Sequence, residues 1–509
     1  MHIDARELEN DHIIEGDICI IGAGAAGLSM ALEWDNTPYK VILLESGGFE
    51  YESALQDLNS GDLTGQKYFP LQSTRLRYFG GTTGHWTGLC SPLDEVDFMK
   101  LDYLPHSGWP ISKQDLDPFY VRAQEKLQLG PYEYEHEYWK KTRPNLNAFP
   151  LDNDIVGTKI WQINPARFGA IYKNRIVKSN NIHLYTYASV TNISSNEAVN
   201  KIQGLTVKNH TGKNYRVMAK HYVMACGAIQ NARLLLTSKN HSPKGLGNDN
   251  DVVGRYFMEH LDIKAAGELW LYEKFKTDLY SYGATKAEMT LTDNAQIANK
   301  ILNTTVAISP LSIGKHMKPL IETWQEEDPR KALKTTENRS FMSKLVRLKT
   351  KVWKPTAFDM DCTSEQAPNP NSRVTLSEVE DALGIQKAHL HWELSPIDKQ
   401  TIRKTLQIIG TQMGQKKLGR VKINEFFREG NDDFMSGTVS GGFHHMGTTR
   451  MHENPKYGVV DANCQVHGIS NLFVAGSGCF TTSGAVNPTL TLVALSLRLS
   501  DYLKGIAKI

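Results

Sequence analysis

Near the C-terminal end of the chain, Phe443-His444-His445-Met446-Gly447-Thr448-Thr449 sets two imidazoles side by side, and Asn487-Pro488-Thr489-Leu490-Thr491 follows. A neutral imidazole, with an ordinary pKa of about 6.5, accepts a proton at physiological pH. A carboxamide does not, but its N–H stabilises an oxygen that is gaining negative charge. Together they suit a reaction that strips the proton from a hydroxyl. Each also has a structural reading. Either histidine can sit in a buried turn, and Asn487 before Pro488 suits a helix N-cap with proline at the first helical position. The positive end of such a helix would add to the stabilisation of an alkoxide.

Chemistry of that kind needs an acceptor, and the other end of the chain holds a place for one. Gly22-Ala23-Gly24-Ala25-Ala26-Gly27 follows the apolar run Asp17 to Ile21. Ala25 to Trp34 then reads as a helix and Lys40 to Glu45 as a second strand, the context a glycine fingerprint requires. Gly22 permits the tight turn, Gly24 lets backbone approach a pyrophosphate, and Gly27 lets helix and strand pack closely. The unpaired amides and the positive dipole end of the helix favour phosphate there. Glu45 closes the second strand, where a carboxylate accepts from a ribose hydroxyl and disfavours the 2′-phosphate of NADP. The fingerprint alone does not separate NAD from FAD. The strand and glycine turn Phe473-Val474-Ala475-Gly476-Ser477-Gly478 favours FAD, because a second turn can cover the far end of an extended cofactor.

With 509 residues the chain exceeds one compact unit, and a net charge of +2 makes no case for nucleic acid. The C-terminal apolar run Leu490 to Leu499 is broken by Ser496 and Arg498 and is too short to span a bilayer. The acidic N-terminus lacks an apolar run, so no secretory signal is expected. Six scattered cysteines without CxxC spacing suit buried free thiols and no metal site, and point to a cytoplasmic protein.

The fold class is α/β, α+β overall. Residues 1–100, 155–260 and 439–509 form a discontinuous nucleotide-binding domain of Rossmann type. Residues 101–154 and 261–438 form an inserted domain on an antiparallel sheet, to which Leu269 to Tyr272 and Lys387 to Leu394 contribute alternating strands. The stretch Arg77 to Gly88 is too glycine-rich for a helix, and Ala232 to Leu236 reads as helical. Residues 339 to 354, basic and amphipathic, read as a solvated helix or as a docking face for a membrane or redox partner.

The chain resembles the glucose–methanol–choline (GMC) oxidoreductase family over nearly its full length. The match runs through Gly22 to Gly27 with Glu45-Ser46-Gly47-Gly48, then Gly80-Gly81-Thr82 with Trp86. It continues through Ala225-Cys226-Gly227-Ala228 to Leu236 and Val253-Gly254-Arg255 to His260, and ends with His444 through Thr491. The resemblance implies FAD, and oxidation of an alcohol to a carbonyl by hydride transfer to flavin N5. Within the family the chain is similar to the sugar-oxidising, pyranose oxidase-like branch, in which an asparagine such as Asn487 stands where other members have a second histidine.

On this resemblance the base is His444, three residues before the Gly447-Thr448 pair, while His445 points elsewhere. Cofactor contacts are implied at Gly22, Gly24, Ala26, Gly27 and Glu45. Further contacts fall at Gly80, Gly81 and Thr82, and at Val190, Ala225 and Gly227. The C-terminal part adds Gly476, Ser477, Asn487 and Thr489. In the His85-Trp86-Thr87 loop, Trp86 packs on the cofactor, and Thr87 bonds flavin N5 or steadies the loop. His85 either carries the flavin covalently or packs beside it. Glu365 and Gln366 bind substrate hydroxyls or stand in a Pro/Asn turn, and His260 reads as structural.

The substrate is then a sugar, glycoside or related alcohol, bound through Gln366, His444 and Asn487, and the electron acceptor is oxygen, a quinone or a redox protein. The alternatives are a redox-neutral lyase, a non-sugar alcohol dehydrogenase, or a flavin-binding protein without catalysis.

Overall fold

A computed structural model describes residues 1–144, 146–281, 283–311, 356–427 and 439–507. The basic stretch 339–354 lies outside the described residues. Among them are three sheets.

The first sheet carries strands in the order His2–Asp4, Ile182–Thr186, Val41–Leu44, His12–Ile21, Asn214–Met224, Ile202–Lys208, Ser189–Ser195, with Leu472–Val474 also paired to Asn214–Met224. Its central strands are parallel, and register brings their carboxyl ends into one line. Ile21 pairs with Leu44 and with Met224, and Met224 with Val474. Their near-continuous apolar runs, such as Val41 to Leu44, are buried on both faces, as parallel strands require. Helix Ala25–Glu33 follows the first glycine turn and Ala228–Thr237 the turn at Gly227. The final helix, Thr489–Ile506, buries Leu490, Val493, Ala494 and Leu497 against this half of the molecule.

The second sheet is antiparallel, in the order Gly419–Ile423, Leu261–Leu271, Ala357–Ser364, Thr304–Pro310, Thr285–Leu291, Val156–Ile163, Leu89–Cys90, with Ser440–Gly441 added to Leu261–Leu271. Helix Pro396–Gln415 packs against it through Ile402, Leu406, Ile409 and Met413. A small third sheet joins Arg373–Glu380, Gln386–Trp392 and Gly61–Gly65.

Three placements differ from the sequence reading. Residues 156–163, read with the nucleotide half, pair with Thr285–Leu291 in the second sheet. Helix Lys113–Lys126, read with the inserted half, packs on the final helix, where the Tyr120 hydroxyl meets Thr491 Oγ1 at 2.9 Å. Strand Gln386–Trp392 belongs to the small sheet, because its other neighbour, Gly61–Gly65, comes from near the N-terminus. In each case the deciding partner is more than 100 residues distant.

The six cysteines are all free, and five are buried. No helix among the described residues is long and apolar enough to cross a membrane.

Candidate active site

The four parallel strand ends open into one cavity of about 460 Å³, a size suited to a bound small molecule. Gly22, Glu45, Ala225 and Ala475, each the residue after one of those strands, all line it. The ladder continues into them: Gly22 N–H donates to Leu44 O and Ala475 N–H to Met224 O, both at 2.8 Å.

The glycines divide their work as the fingerprint implies. Gly22 sits at φ 107°, where a side chain is strained. A Cβ on Gly27 would lie 1.8 Å from Gly22 O, so only glycine fits that crossing. A Cβ on Gly24 would meet nothing within 4 Å, since that face opens on the cavity. Helix Ala25–Glu33 starts at Gly24 without a side-chain cap, leaving its first-turn amides available to phosphate. Glu45 is buried, and its two oxygens accept from Ala23 N–H (3.0 Å) and Gly47 N–H (2.9 Å). Burial raises its pKa against these bonds. A hydroxyl donated to its remaining lone pairs would steady the anion.

Gly81, Thr82, His85, Trp86, Thr87, Val190, Gly227, Gly476, Ser477, Asn487 and Thr489 also line the cavity, with Ala26. Gly27 and Gly80 do not; they shape it from behind. A Cβ on Gly80 would lie 2.6 Å from Gly169 N. The His85 loop is pinned where Arg167 Nη1 donates to Thr83 O (3.0 Å) and Trp86 O (2.6 Å), and Trp86 Nε1 to Ala166 O (2.9 Å).

At the other end of the cavity stand His444 and Asn487. The loop bearing His444 is held from three sides. Met446 bridges to Met258, Ser477 Oγ donates to His445 O (2.7 Å), and His444 N–H donates to Glu259 Oε1 (2.6 Å). The two preceding glycines are packing requirements. A Cβ on Gly441 would come within 2.8 Å of Glu259 Oε2, and one on Gly442 within 2.9 Å of His444 Nδ1.

Proton bookkeeping fixes the tautomer of His444. His260 Nε2 faces Ser483 O at 3.3 Å, and a carbonyl only accepts, so Nε2 carries the hydrogen. Burial lowers the His260 pKa to about 4, which keeps the ring neutral and makes Nδ1 an acceptor. His260 Nδ1 lies 2.9 Å from His444 Nδ1, which must therefore be the donor. His444 is then left with a lone pair on Nε2, which has no protein partner among the described residues. Its pKa is held well below the ordinary value by burial, then by His260 and His445. An imidazole in this state is neutral and offers the Nε2 lone pair to a proton donor in the cavity.

His445 diverges. Its Nε2 meets Tyr68 Oη at 2.9 Å, and the Tyr68 hydroxyl donates to Glu259 Oε2. Its pKa falls to about 3 through burial and the nearby Arg75 guanidinium. Glu259, accepting from Tyr68, His444 N–H and His260 N–H, is still raised to about 7 by burial.

Asn487 makes no side-chain capping bond. The helix begins at Thr489 with Pro488 in the cap position, so the amide of Asn487 has no protein partner among the described residues.

Gln366 is a correction. It is fully buried, its Oε1 accepts from Glu259 N–H (3.0 Å) and Trp392 Nε1 (2.9 Å), and its Nε2 donates to Glu393 O (3.1 Å). It does not line the cavity, so a substrate there does not meet it. Glu365 is likewise buried, accepting from Asn303 N–H at 3.2 Å. Sequence reading also passed over Arg75 and Arg77, which line the cavity, and the supports Tyr68 and Glu259, whereas His260, read as structural, is the support of His444. Arg77, three residues before Gly80, was the findable one: its Nη1 donates to Ser46 Oγ at 2.7 Å.

Residues 17–244 match the family model described as FAD dependent oxidoreductase, and residues 368–496 the model described as GMC oxidoreductase. The fructose dehydrogenase large subunit of Gluconobacter japonicus is 23% identical, over 97% of this chain and 98% of its own. The 2-methyl-1,2-propanediol dehydrogenase of Mycolicibacterium austroafricanum is 25% identical, over 96% of this chain and 95% of its own. The solved structure of pyridoxine 4-oxidase from Mesorbium loti superposes with a TM-score of 0.56 at 15% identity, covering 96% of this chain and 99% of that one, which supports the fold. The open face of Gly24, the uncapped helix and the buried Glu45 suit the FAD that these matches require.

Proposed function

We propose that this chain, an FAD-dependent member of the GMC oxidoreductase family acting on alcohol or sugar hydroxyls, oxidises a sugar, glycoside or related polyol with His444 as the general base. The observation that carries the reading is the hydrogen-bond chain from Ser483 O through His260 to His444, which leaves Nε2 of His444, a lining residue of the cavity, with a lone pair and no protein partner among the described residues.

Bound FAD supplies the hydride acceptor, at its N5. Gly22, Gly24 and Ala26 would hold its phosphates with the amides of the first helical turn, and Glu45 would accept from its ribose. Ser477, in the second glycine turn, and Thr489, at the head of the final helix, would flank its ring end. Substrate enters with its reacting hydroxyl toward His444, and Nε2 takes that proton. Asn487 donates its amide N–H to the oxygen as negative charge grows there, aided by the positive end of helix Thr489–Ile506. His445 is a poor proton acceptor, since its Nε2 is engaged by Tyr68 and burial with the Arg75 guanidinium lowers its pKa to about 3. Thr87 and His85 edge the same ring site. Precipitating the protein in acid separates covalent attachment through His85, which keeps the flavin in the pellet, from packing beside it.

Among the relatives, one acts on fructose and another on a small diol, as their names state. The test is anaerobic mixing of the purified flavoprotein with sugars, polyols and simple alcohols. Loss of the yellow flavin absorbance is expected with polyhydroxylated substrates. Product formation with the flavin still yellow would mean a redox-neutral reaction and contradict the reading.

A further inference from the structure

One face of the second sheet comes up behind Gly442, a lining residue of the cavity, and strand alternation shows which one. Leu261, Ile263, Val306, Met360 and Cys362 share one face and are buried in the core. Asp262 pairs with Thr363, Thr363 with Thr305, and Thr305 with Thr290, so these four share the opposite face, joined two residues along by Glu288 and Asp361. Near Asp262 this face is polar. It starts at the base: Asp262 pairs with Ser440, two residues before Gly442, and Ser440 Oγ donates to Asp262 O at 3.2 Å. A Cβ built on Gly442 would lie 2.9 Å from His444 Nδ1 and 3.3 Å from Asp262 Oδ2, which sets that oxygen within about 6 Å of the imidazole.

The charges on this face are not evenly matched. Lys286 bonds Glu288 at 2.7 Å and Lys264 pairs with Asp361 at 3.2 Å. Asp262 has no ion-pair partner among the described residues. Its Oδ1 accepts from Thr363 Oγ1 at 3.0 Å, and its Oδ2 accepts from no group among the described residues. Burial first, then the neighbouring Glu288 and Asp361 carboxylates, raise its pKa, while Thr363 and Lys264 lower it. A carboxylate so placed gains from any donor or cation brought to its free oxygen.

Resting on the reading of His444 as base, we propose that Asp262 selects the substrate class. Oδ2 accepts from a second hydroxyl, or pairs with an ammonium, of a polyhydroxylated substrate whose reacting hydroxyl sits at His444, and it repels a carboxylate in the same position. The site is built for neutral and amino sugars and against acidic ones. A monoalcohol is too short to reach it.

The experiment measures anaerobic flavin reduction at pH 7 by D-glucose, D-glucosamine, D-glucuronate and 1-propanol, giving an apparent Kd for each. Wild type, Asp262→Asn and Asp262→Ser are compared at matched FAD content. In wild type, glucuronate is expected to bind at least tenfold more weakly than glucose or glucosamine. In both variants that ratio closes, with glucuronate gaining about tenfold and glucosamine losing its advantage. Sugar-driven reduction with unchanged ratios in both variants overturns the role of Asp262 and leaves His444 standing. Reduction by 1-propanol but by no sugar overturns the substrate class. Reduction by none of the four overturns the oxidoreductase reading, and this inference with it.

Discussion

Two buried polar networks in this molecule are built from similar parts. Arg233 and Asp381 form an ion pair at 2.7 Å with side chains 2% and 3% exposed. Gln386 O, Leu58 O and Ile385 O take the other guanidinium donors, and Leu383 N–H and Ile385 N–H donate to the second carboxylate oxygen. Every group there is answered, and the pair ties helix Ala228–Thr237 to the small sheet. The network of Glu259, His260 and His444 is as deeply placed and as fully bonded on its inner side. It differs at one atom. Nε2 of His444 has no protein partner among the described residues, and His444 lines the cavity. A closed network holds a structure together; one left open at a cavity has a group to offer a ligand.

The largest effect expected from breaking this comparison is at the open end. His444→Ala should slow substrate-driven flavin reduction by about 10³-fold while FAD stays bound, read by stopped-flow absorbance and flavin content. Breaking the closed network should instead cost stability. Arg233→Met leaves Asp381 buried without its partner, at about 3–5 kcal/mol in denaturant unfolding, with the reduction rate per bound FAD close to wild type. Asn487→Ala removes a donor from the open end and should lower the limiting reduction rate by about 10²-fold.

A smaller and more diagnostic effect is expected at His260, a positioning residue. Burial lowers the His444 pKa, so the imidazole is neutral at and above pH 6.5. The rate limb due to its protonation must therefore lie on the acid side of that value. His260→Ala should cost about tenfold, because both tautomers become accessible. It should also move the limb upward, because water entering the vacated space eases the charging of His444. His260→Gln can accept from His444 Nδ1–H and donate to Ser483 O, and should restore most of both. A limb at or above pH 6.5 in wild type would contradict the lowered pKa.

What the sequence made legible was local. The glycine spacing, the strand before it and Glu45 after it all lie within one short stretch, and backbone sterics at Gly22 and Gly27 demand those residues in any fold that brings the strands together. The His444 and Asn487 segments were legible as chemistry through residue type and family resemblance. What stayed hidden depends on contacts across long separations. His260 and His444 are 184 residues apart and are joined through the Met258–Met446 bridge. Gln366 looked like a ligand because an amide suits sugar hydroxyls; only packing shows it buried away from the cavity, bonded to Glu259, Trp392 and Glu393. The strand at 156–163 was misassigned for the same reason, since its partner at 285–291 decides its sheet.

Nitrogen NMR of the holoenzyme labelled with 15N-histidine, with His444→Gln to assign the resonance, reads the tautomer of His444 directly. At pH 7 the expected spectrum shows Nδ1 protonated and Nε2 bare. A His444 ring with hydrogen on Nε2 would leave no lone pair facing the cavity and would contradict the account.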